Sequence, residues 1–225
     1  MRIYFVTAGL KEELTVIRDV RPPYILCSYW YFKNKRLSDL CDYLGYKPHI
    51  LLDSGAYSAF TKGKTVNVLD YIAYIQRNSD YIQRYISLDV IGDAHLTWMF
   101  YDIMKYHKLN PIPVYHYGDS LDSLHRYVEC GERTIALGAT VPIKNKALVA
   151  DWCAELKGQF PTVDFHLLGS CSKKVISCGA LSSCDASSWY MMAVNGFPKS
   201  IVGRSKCAKI ERAKYQMQQM MGLVL

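Results

Sequence analysis

Three aspartates stand where short apolar runs end. His49-Ile50-Leu51-Leu52 leads into Asp53, Tyr85-Ile86-Ser87-Leu88 into Asp89, and Leu181-Ser182-Ser183-Cys184 into Asp185. An unpaired carboxylate buried at such a position costs several kcal/mol, so it needs a partner or a purpose. A carboxylate serves as nucleophile, as general acid or base, or as a recognition group. Two of them about 5 Å apart perform double displacement at an anomeric carbon, and a wider pair suits inversion. Three on one rim also suit Mg²⁺. Any one of the three can be a simple helix cap, but that reading fits all three together poorly.

Eight apolar runs stand ready to position these groups: Ile3–Val6, Tyr24–Cys27, Ile50–Leu52, Tyr85–Leu88, Ile112–Tyr115, Thr134–Leu137, Val163–Leu168 and Leu181–Cys184. Helical patterns fill most of the segments between them. They include Val68 to Ile75 with Asn67 as cap, Trp98 to Tyr106, and Leu121 to Val128 behind Asp119 or Ser120. Ala147 to Leu156 and a closing helix from Lys206 to Met221 complete the set. Strand–helix alternation implies parallel pairing through right-handed crossovers. Eight units predict a compact (β/α)8 barrel occupying residues 1–225 as one domain, near the lower end of the ~200 to 400 residues usual for that fold. An open doubly wound sheet is the alternative, but the chain lacks the Gly-rich first turn that usually accompanies it.

In a barrel the C-terminal strand ends carry the chemistry. Here they present Asp53, Asp89, His116, Gly138, Gly169 and Asp185. The loops that follow carry Lys33, Lys35 and Arg36, then Lys62 and Lys64, Lys144 and Lys146, and Lys173 and Lys174. Each group alone reads as a solvated loop. Together they predict a positive collar around a carboxylate-lined pocket, suited to a polyanion whose reactive part enters it. The net charge of +7 is modest, so placement matters more than size.

Half of the 225 residues are hydrophobic, which suits a globular domain with a full core. No apolar run reaches the ~18 residues of a membrane span, and the N-terminus is too short in apolar residues for a signal peptide. The eight cysteines form no Cys-x-x-Cys pair, so reduced thiols in a cytoplasm are expected. A zinc site from Cys171, Cys178 and Cys184 has the wrong spacing for common ligand patterns.

The ordered strand ends resemble those of tRNA-guanine transglycosylases. Leu52-Asp53-Ser54-Gly55-Ala56-Tyr57 is similar to that family's Asp-Ser-Gly-Gly-Tyr, and Leu88-Asp89 to its next strand end. Val114-Tyr115-His116-Tyr117-Gly118 lies where the family has Val-Gln-Gly-Gly. Ala136-Leu137-Gly138, Leu167-Leu168-Gly169 and Cys184-Asp185 follow in the family's order. The likeness spans roughly Asp53 to Trp189 and is closer still to the DpdA-like branch of phages and bacterial genomic islands, which exchanges guanine in DNA for a 7-deazaguanine such as preQ0. Asp53 to Phe60, Leu88 to Asp93, Pro111 to His116 and Asp185 to Trp189 carry it. The zinc motif of the tRNA enzymes is absent, and the chain is too short for their zinc subdomain.

The resemblance implies a set of roles. Asp185 is the nucleophile at C1′ of the deoxyribose, and Asp53 moves protons at N9 of the outgoing and incoming bases. Asp89 accepts from N1 and the 2-amino group. Tyr57 stacks on the base, Leu168 closes its other face, and His116 stands in place of a family Gln. Ser54, Gly138 and Gly169 complete the base pocket. Lys62, Lys64, Lys144, Lys146, Lys173 and Lys174 hold phosphates, and Trp189 or Tyr190 is a candidate wedge. The implied partners are DNA with a flipped or single-stranded guanine and the free 7-deazaguanine, with no cofactor and no metal. The implied compartment is the cytoplasm of a bacterial or phage-infected cell. Other readings remain open: the same chemistry on tRNA, a metal-dependent hydrolase using the Asp rim, or a nucleic-acid-binding barrel without activity.

Overall fold

Runs rich in Ile, Leu, Val and Tyr become strands and the amphipathic segments between them become helices in the computed structural model, which describes residues 1–223. The strands are β1 (Arg2–Thr7), β2 (Tyr24–Ser28), β3 (His49–Asp53), β4 (Ile82–Tyr85), β5 (Val114–His116), β6 (Thr134–Gly138), β7 (Asp164–Leu167) and β8 (Leu181–Ala186). The helices are α1 (Lys11–Val20), α2 (Tyr29–Phe32), α3 (Leu37–Leu44), α4 (Ala56–Phe60), α5 (Val68–Arg77) and α6 (Ala94–Tyr106). They continue as α7 (Leu121–Glu129), α8 (Lys146–Gln159), α9 (Lys173–Ile176), α10 (Ser188–Val194) and α11 (Lys206–Met221). Asn67, Asp93, Ser120 and Asn145 cap α5, α6, α7 and α8 by accepting first-turn amides.

All strand pairs are parallel, in the order β4-β3-β2-β1-β8-β7-β6-β5. The two edges meet through a parallel bridge between Ile86 and Ile112. Ile112 N donates to Tyr85 O and Ser87 N to Ile112 O, both at 2.8 Å. The sheet therefore curls into the expected (β/α)8 barrel. Among the described residues no helix is long and apolar enough to cross a membrane.

Strand periodicity divides the core in two. Tyr4, Leu26, Leu51, Ile86, Ile112, Val114 and Ala136 pack inside the barrel. Their neighbours Phe5, Ile25, Ile50, Leu52 and Ile135 face outward into the layer beneath the helices. Asp53 shares the inward parity of Leu51, and Asp185 stands in register with the inward Tyr4.

Two strands depart from the sequence reading. β4 ends at Tyr85, so Asp89 sits in the loop beyond it rather than at a strand end. The exposed Gln83 and Arg84, the two central residues of this four-residue strand, hid it from an apolar reading. β5 is short because Pro113 has no N–H and interrupts the ladder after Ile112.

Candidate active site

The β3–α4 turn is built around Gly55. Its φ of 76° is left-handed, and a Cβ there would lie 2.5 Å from Trp30 Cβ and 2.7 Å from Ser28 Oγ. Only glycine lets the chain turn this sharply against β2. The turn aims two polar groups: Gly55 N–H donates to Asp53 Oδ2 at 2.9 Å, and Ala56 N–H to Ser54 Oγ at 3.2 Å. Ser54, fully buried, donates onward to Asp89 Oδ1 at 3.3 Å.

His116 holds the other oxygen of Asp89. Its Nε2 lies 3.0 Å from Asp89 Oδ2, and its Nδ1 lies 3.6 Å from Asp119 Oδ2. Burial alone would lower its pKa, but the neighbouring Asp119 and Asp89 carboxylates, the latter hydrogen-bonded to Nε2, carry it up to about 9. His116 is therefore an imidazolium at neutral pH, facing two carboxylates. Nε2 is engaged by Asp89, and Nδ1 is buried near Asp119 without a hydrogen bond, so this arrangement commits the ring to holding Asp89. Gly138 makes room for the ring, since a Cβ there would meet His116 Cδ2 at 2.6 Å. That glycine thus seats the His116 ring, where the resemblance implied a place in the base pocket.

Asp185 projects inward from β8 and is 5% exposed. Gly169 N–H, in the β7–α9 loop, donates to its Oδ1 at 3.1 Å. Gly169 has a φ of 71°, and a Cβ there would strike Val141 Cγ2 at 2.6 Å. Leu168 beside it is half-buried. Behind Asp185, Cys184 faces outward and is bonded to Cys171 as a disulfide, which corrects the expectation of eight reduced thiols. Among the described residues no group of three His, Cys, Asp or Glu side chains has metal-binding geometry.

Asp89 and Asp185 both act on Asp53. The pKa of Asp53 is raised to about 7, first by burial and then by the negative charges of Asp89 and Asp185, against hydrogen bonds from Gly55 and Ser54. The chain thus brings Asp53, Ser54, Asp89, His116, Gly138, Gly169 and Asp185 into one group at the C-terminal mouth of the barrel. Sequence reasoning read Asp119 only as a candidate helix cap and missed Ser28 and the buried His166 and Ser183 below Asp185. Period-two alternation along β7 and β8 was the available signal for the last two.

The collar lysines all follow C-terminal strand ends. Lys62, Lys64, Lys144, Lys173 and Lys174 are exposed, and Lys146 is half-buried with Nζ on Thr140 O at 3.3 Å. Among the described residues the ion-paired lysines lie elsewhere, on Glu12, Asp19, Glu132 and Glu211. Lys62 also lies over the rings of Trp30 and Tyr31. Tyr57 is 50% exposed at the rim. Trp189 and Tyr190 are not wedges: both are buried, and Trp189 Nε1 donates to Val6 O at 3.2 Å. Their helix α10 turns this face onto the barrel wall.

A cleft of about 220 Å³ opens beside Asp89, walled by Ala56, Phe60, Leu88, Val90, Ile91 and Phe100. A larger cavity of about 430 Å³, lined by Arg84, Lys105, Glu132 and Arg133, lies around the N-terminal end of β6, away from the aspartates.

The fold and its inward rim define a TIM-barrel-like α/β protein. Similar solved structures cover nearly the whole chain at low identity. A putative fructose-1,6-bisphosphate aldolase from Coccidioides immitis matches with a TM-score of 0.63 and 10% identity, over 99% of this chain and 90% of that one. A variant tryptophan synthase α-subunit from Pyrococcus furiosus matches at 0.60 and 11%, over 98% and 97%. Orotidine 5′-monophosphate decarboxylase from Sulfolobus solfataricus matches at 0.57 and 11%, over 100% and 99%. No family model matches the sequence. No curated protein matches it either.

Proposed function

We propose that this barrel is a base-exchange enzyme that replaces guanine in DNA with a 7-deazaguanine through a covalent glycosyl-aspartate. The observation that carries the reading is the pair of unlike carboxyls. Asp53 is poised near 7 by burial and by two neighbouring charges, while Asp185 has Oδ1 tethered by a backbone N–H. Such a division suits one proton carrier and one nucleophile.

In the proposed reaction Asp185 attacks C1′ as the C1′–N9 bond breaks. The guanine leaves with the bonding pair and takes the proton held by Asp53. The incoming base gives its N9 proton to Asp53 and attacks the same carbon, which releases Asp185. Two displacements retain configuration. Asp89 recognises the N1 and 2-amino edge, held in place by Ser54 and the charged His116 rather than helped by a direct His116 contact. Tyr57 and Leu168 flank the base, and the cleft beside Asp89 offers a bicyclic heterocycle an apolar wall. The unpaired collar lysines suit phosphates, and the target guanine enters flipped or single-stranded.

The test is incorporation of isotope-labelled guanine into a guanine-containing DNA duplex, a single strand and tRNA. Label in DNA supports the proposal. Label in tRNA alone moves the substrate to RNA. No label in any of them, with activity appearing only on added divalent metal against phosphoesters, refutes base exchange in favour of metal-assisted hydrolysis.

A further inference from the structure

Below Asp185, strand register assembles a buried polar chain that the proposed roles leave unused. His166 and Ser183 are register partners on β7 and β8, so their side chains point together into the barrel. They are 1% and 4% exposed. His166 Nδ1 lies 2.9 Å from Ser183 Oγ, and its buried Nε2 lies 3.3 Å from Asp185 Oδ1, close but without a formed hydrogen bond to any group. The edge of the ring system meets Tyr4 at a centroid distance of 5.7 Å, which fixes the imidazole plane. The tautomer follows from these neighbours. A carboxylate oxygen can only accept, so Nε2 carries the proton and Nδ1 accepts from the Ser183 hydroxyl.

We propose that His166 is a positioning residue that selects the attacking oxygen of Asp185. Resting on the base-exchange reading, this makes it more specific. Gly169 N–H donates to Asp185 Oδ1, and the unsatisfied His166 Nε2 faces the same oxygen at 3.3 Å, so a small closing movement brings a second donor onto Oδ1. Oδ2 is left free to form the bond to C1′. In the glycosyl-aspartate Oδ1 becomes the ester carbonyl oxygen. When the incoming base attacks C1′, the ester O–C1′ bond breaks and its electron pair returns to the carboxylate. The same two donors then stabilise the departing group. Ser183 is not a nucleophile in a hydrolytic triad, because it lies two residues deeper on β8 than Asp185 and is closed off from the mouth.

The experiment compares labelled-guanine exchange into DNA by wild type, His166→Phe, His166→Gln and Ser183→Ala. His166→Phe should lower kcat by roughly 10²-fold, the usual worth of one donor aimed at a reacting oxygen. KM for DNA and for guanine should change by less than about threefold, since neither ligand touches His166. The accumulation rate of covalent adduct should fall in step with kcat. His166→Gln, which keeps an N–H donor, should recover about tenfold of the loss. Ser183→Ala should cost less than His166→Phe. Folded fraction is measured for each variant by near-UV circular dichroism. Wild-type turnover in His166→Phe overturns the inference. So does a loss that tracks folded fraction equally in the Phe and Gln variants. If wild type exchanges no guanine into any nucleic acid, the base-exchange reading fails first and this inference falls with it.

Discussion

Asp53 is the side chain whose functional setting should be visible in folding stability. Its carboxyl is carried from its ordinary 3.8 to about 7 by burial and by the charges of Asp89 and Asp185. The folded state therefore binds a proton that the unfolded chain releases, and linkage fixes the sign. Stability from this group is fully present below about pH 4 and is lost as pH rises to about 7. At 1.36 kcal/mol per pH unit the full swing is about 4 kcal/mol, and partial exposure of the carboxyl reduces it to roughly 2–4 kcal/mol. Asp53→Asn keeps the shape and cannot ionise. Urea unfolding of both proteins at intervals from pH 4 to pH 8 isolates the effect, because Asp89, Asp185 and His116 are common to both. The wild-type stability minus that of the variant should fall by roughly 2–4 kcal/mol across this range. The variant should be the more stable protein at pH 8 while its turnover drops by roughly 10²–10⁴-fold. A difference that stays flat, or that grows with pH, would refute the argument that burial and neighbouring charge hold a proton on Asp53.

Asp185→Asn should bind DNA but form no covalent adduct on denaturing gels. If it still forms adduct while Asp53→Asn does not, the two roles exchange, and if neither change affects turnover the transglycosylase reading is wrong. His116→Asn should lose stability that wild type holds at pH 6, with the gap narrowing as pH rises through about 9, because the raised His116 pKa favours folding only while the ring is protonated. Gly138→Ala should cost roughly 1–3 kcal/mol in urea unfolding through the clash with the His116 ring, and a neutral result would mean the ring has room to move. Lys62→Ala, Lys64→Ala, Lys144→Ala and Lys173→Ala should each flatten the log–log salt dependence of DNA binding by about one unit, and unchanged slopes in all four would remove the collar from the mechanism.

Much of the barrel could be read from the chain because its strands are apolar at their centres and its turns are polar. β1, β2, β3 and β6 lie within about a residue of their apolar runs, and α11 spans Lys206–Met221 as its pattern implied. The errors came where composition and pairing part. Arg84 is polar yet pairs with Leu51 of β3, and the polar Gln83 sits at the bulge before it, so β4 was read three residues too late. The charged Asp185 was read as the end of β8, whose ladder in fact continues through it to Ala186. Trp189 and Tyr190 look like recognition aromatics beside a catalytic residue, but a seven-residue helix turns both into the core. The link between Cys171 and Cys184 is a tertiary fact that spacing did not announce.

The candidate site was legible by residue type and largely illegible by partnership. Asp53, Asp89 and Asp185 stand out because isolated carboxylates after apolar runs are costly. What each one does depends on neighbours supplied by other strands. Asp89 looks like a free acceptor in the sequence, but Ser54 and a charged His116 already hold one oxygen each. Asp185 looks like one more strand-end acid, but Gly169 and His166 both approach Oδ1 and leave Oδ2 open. Asp53 alone has neither a cation nor a side-chain donor, only the turn amides, so it is the carboxyl that burial and repulsion can protonate. Parallel register decides these differences: it sets His166 beside Ser183, His116 beside Gly138, and Ser28 beside Asp53. Three identical side chains thereby acquire three environments, which is what the proposed division into attack, proton transfer and recognition requires.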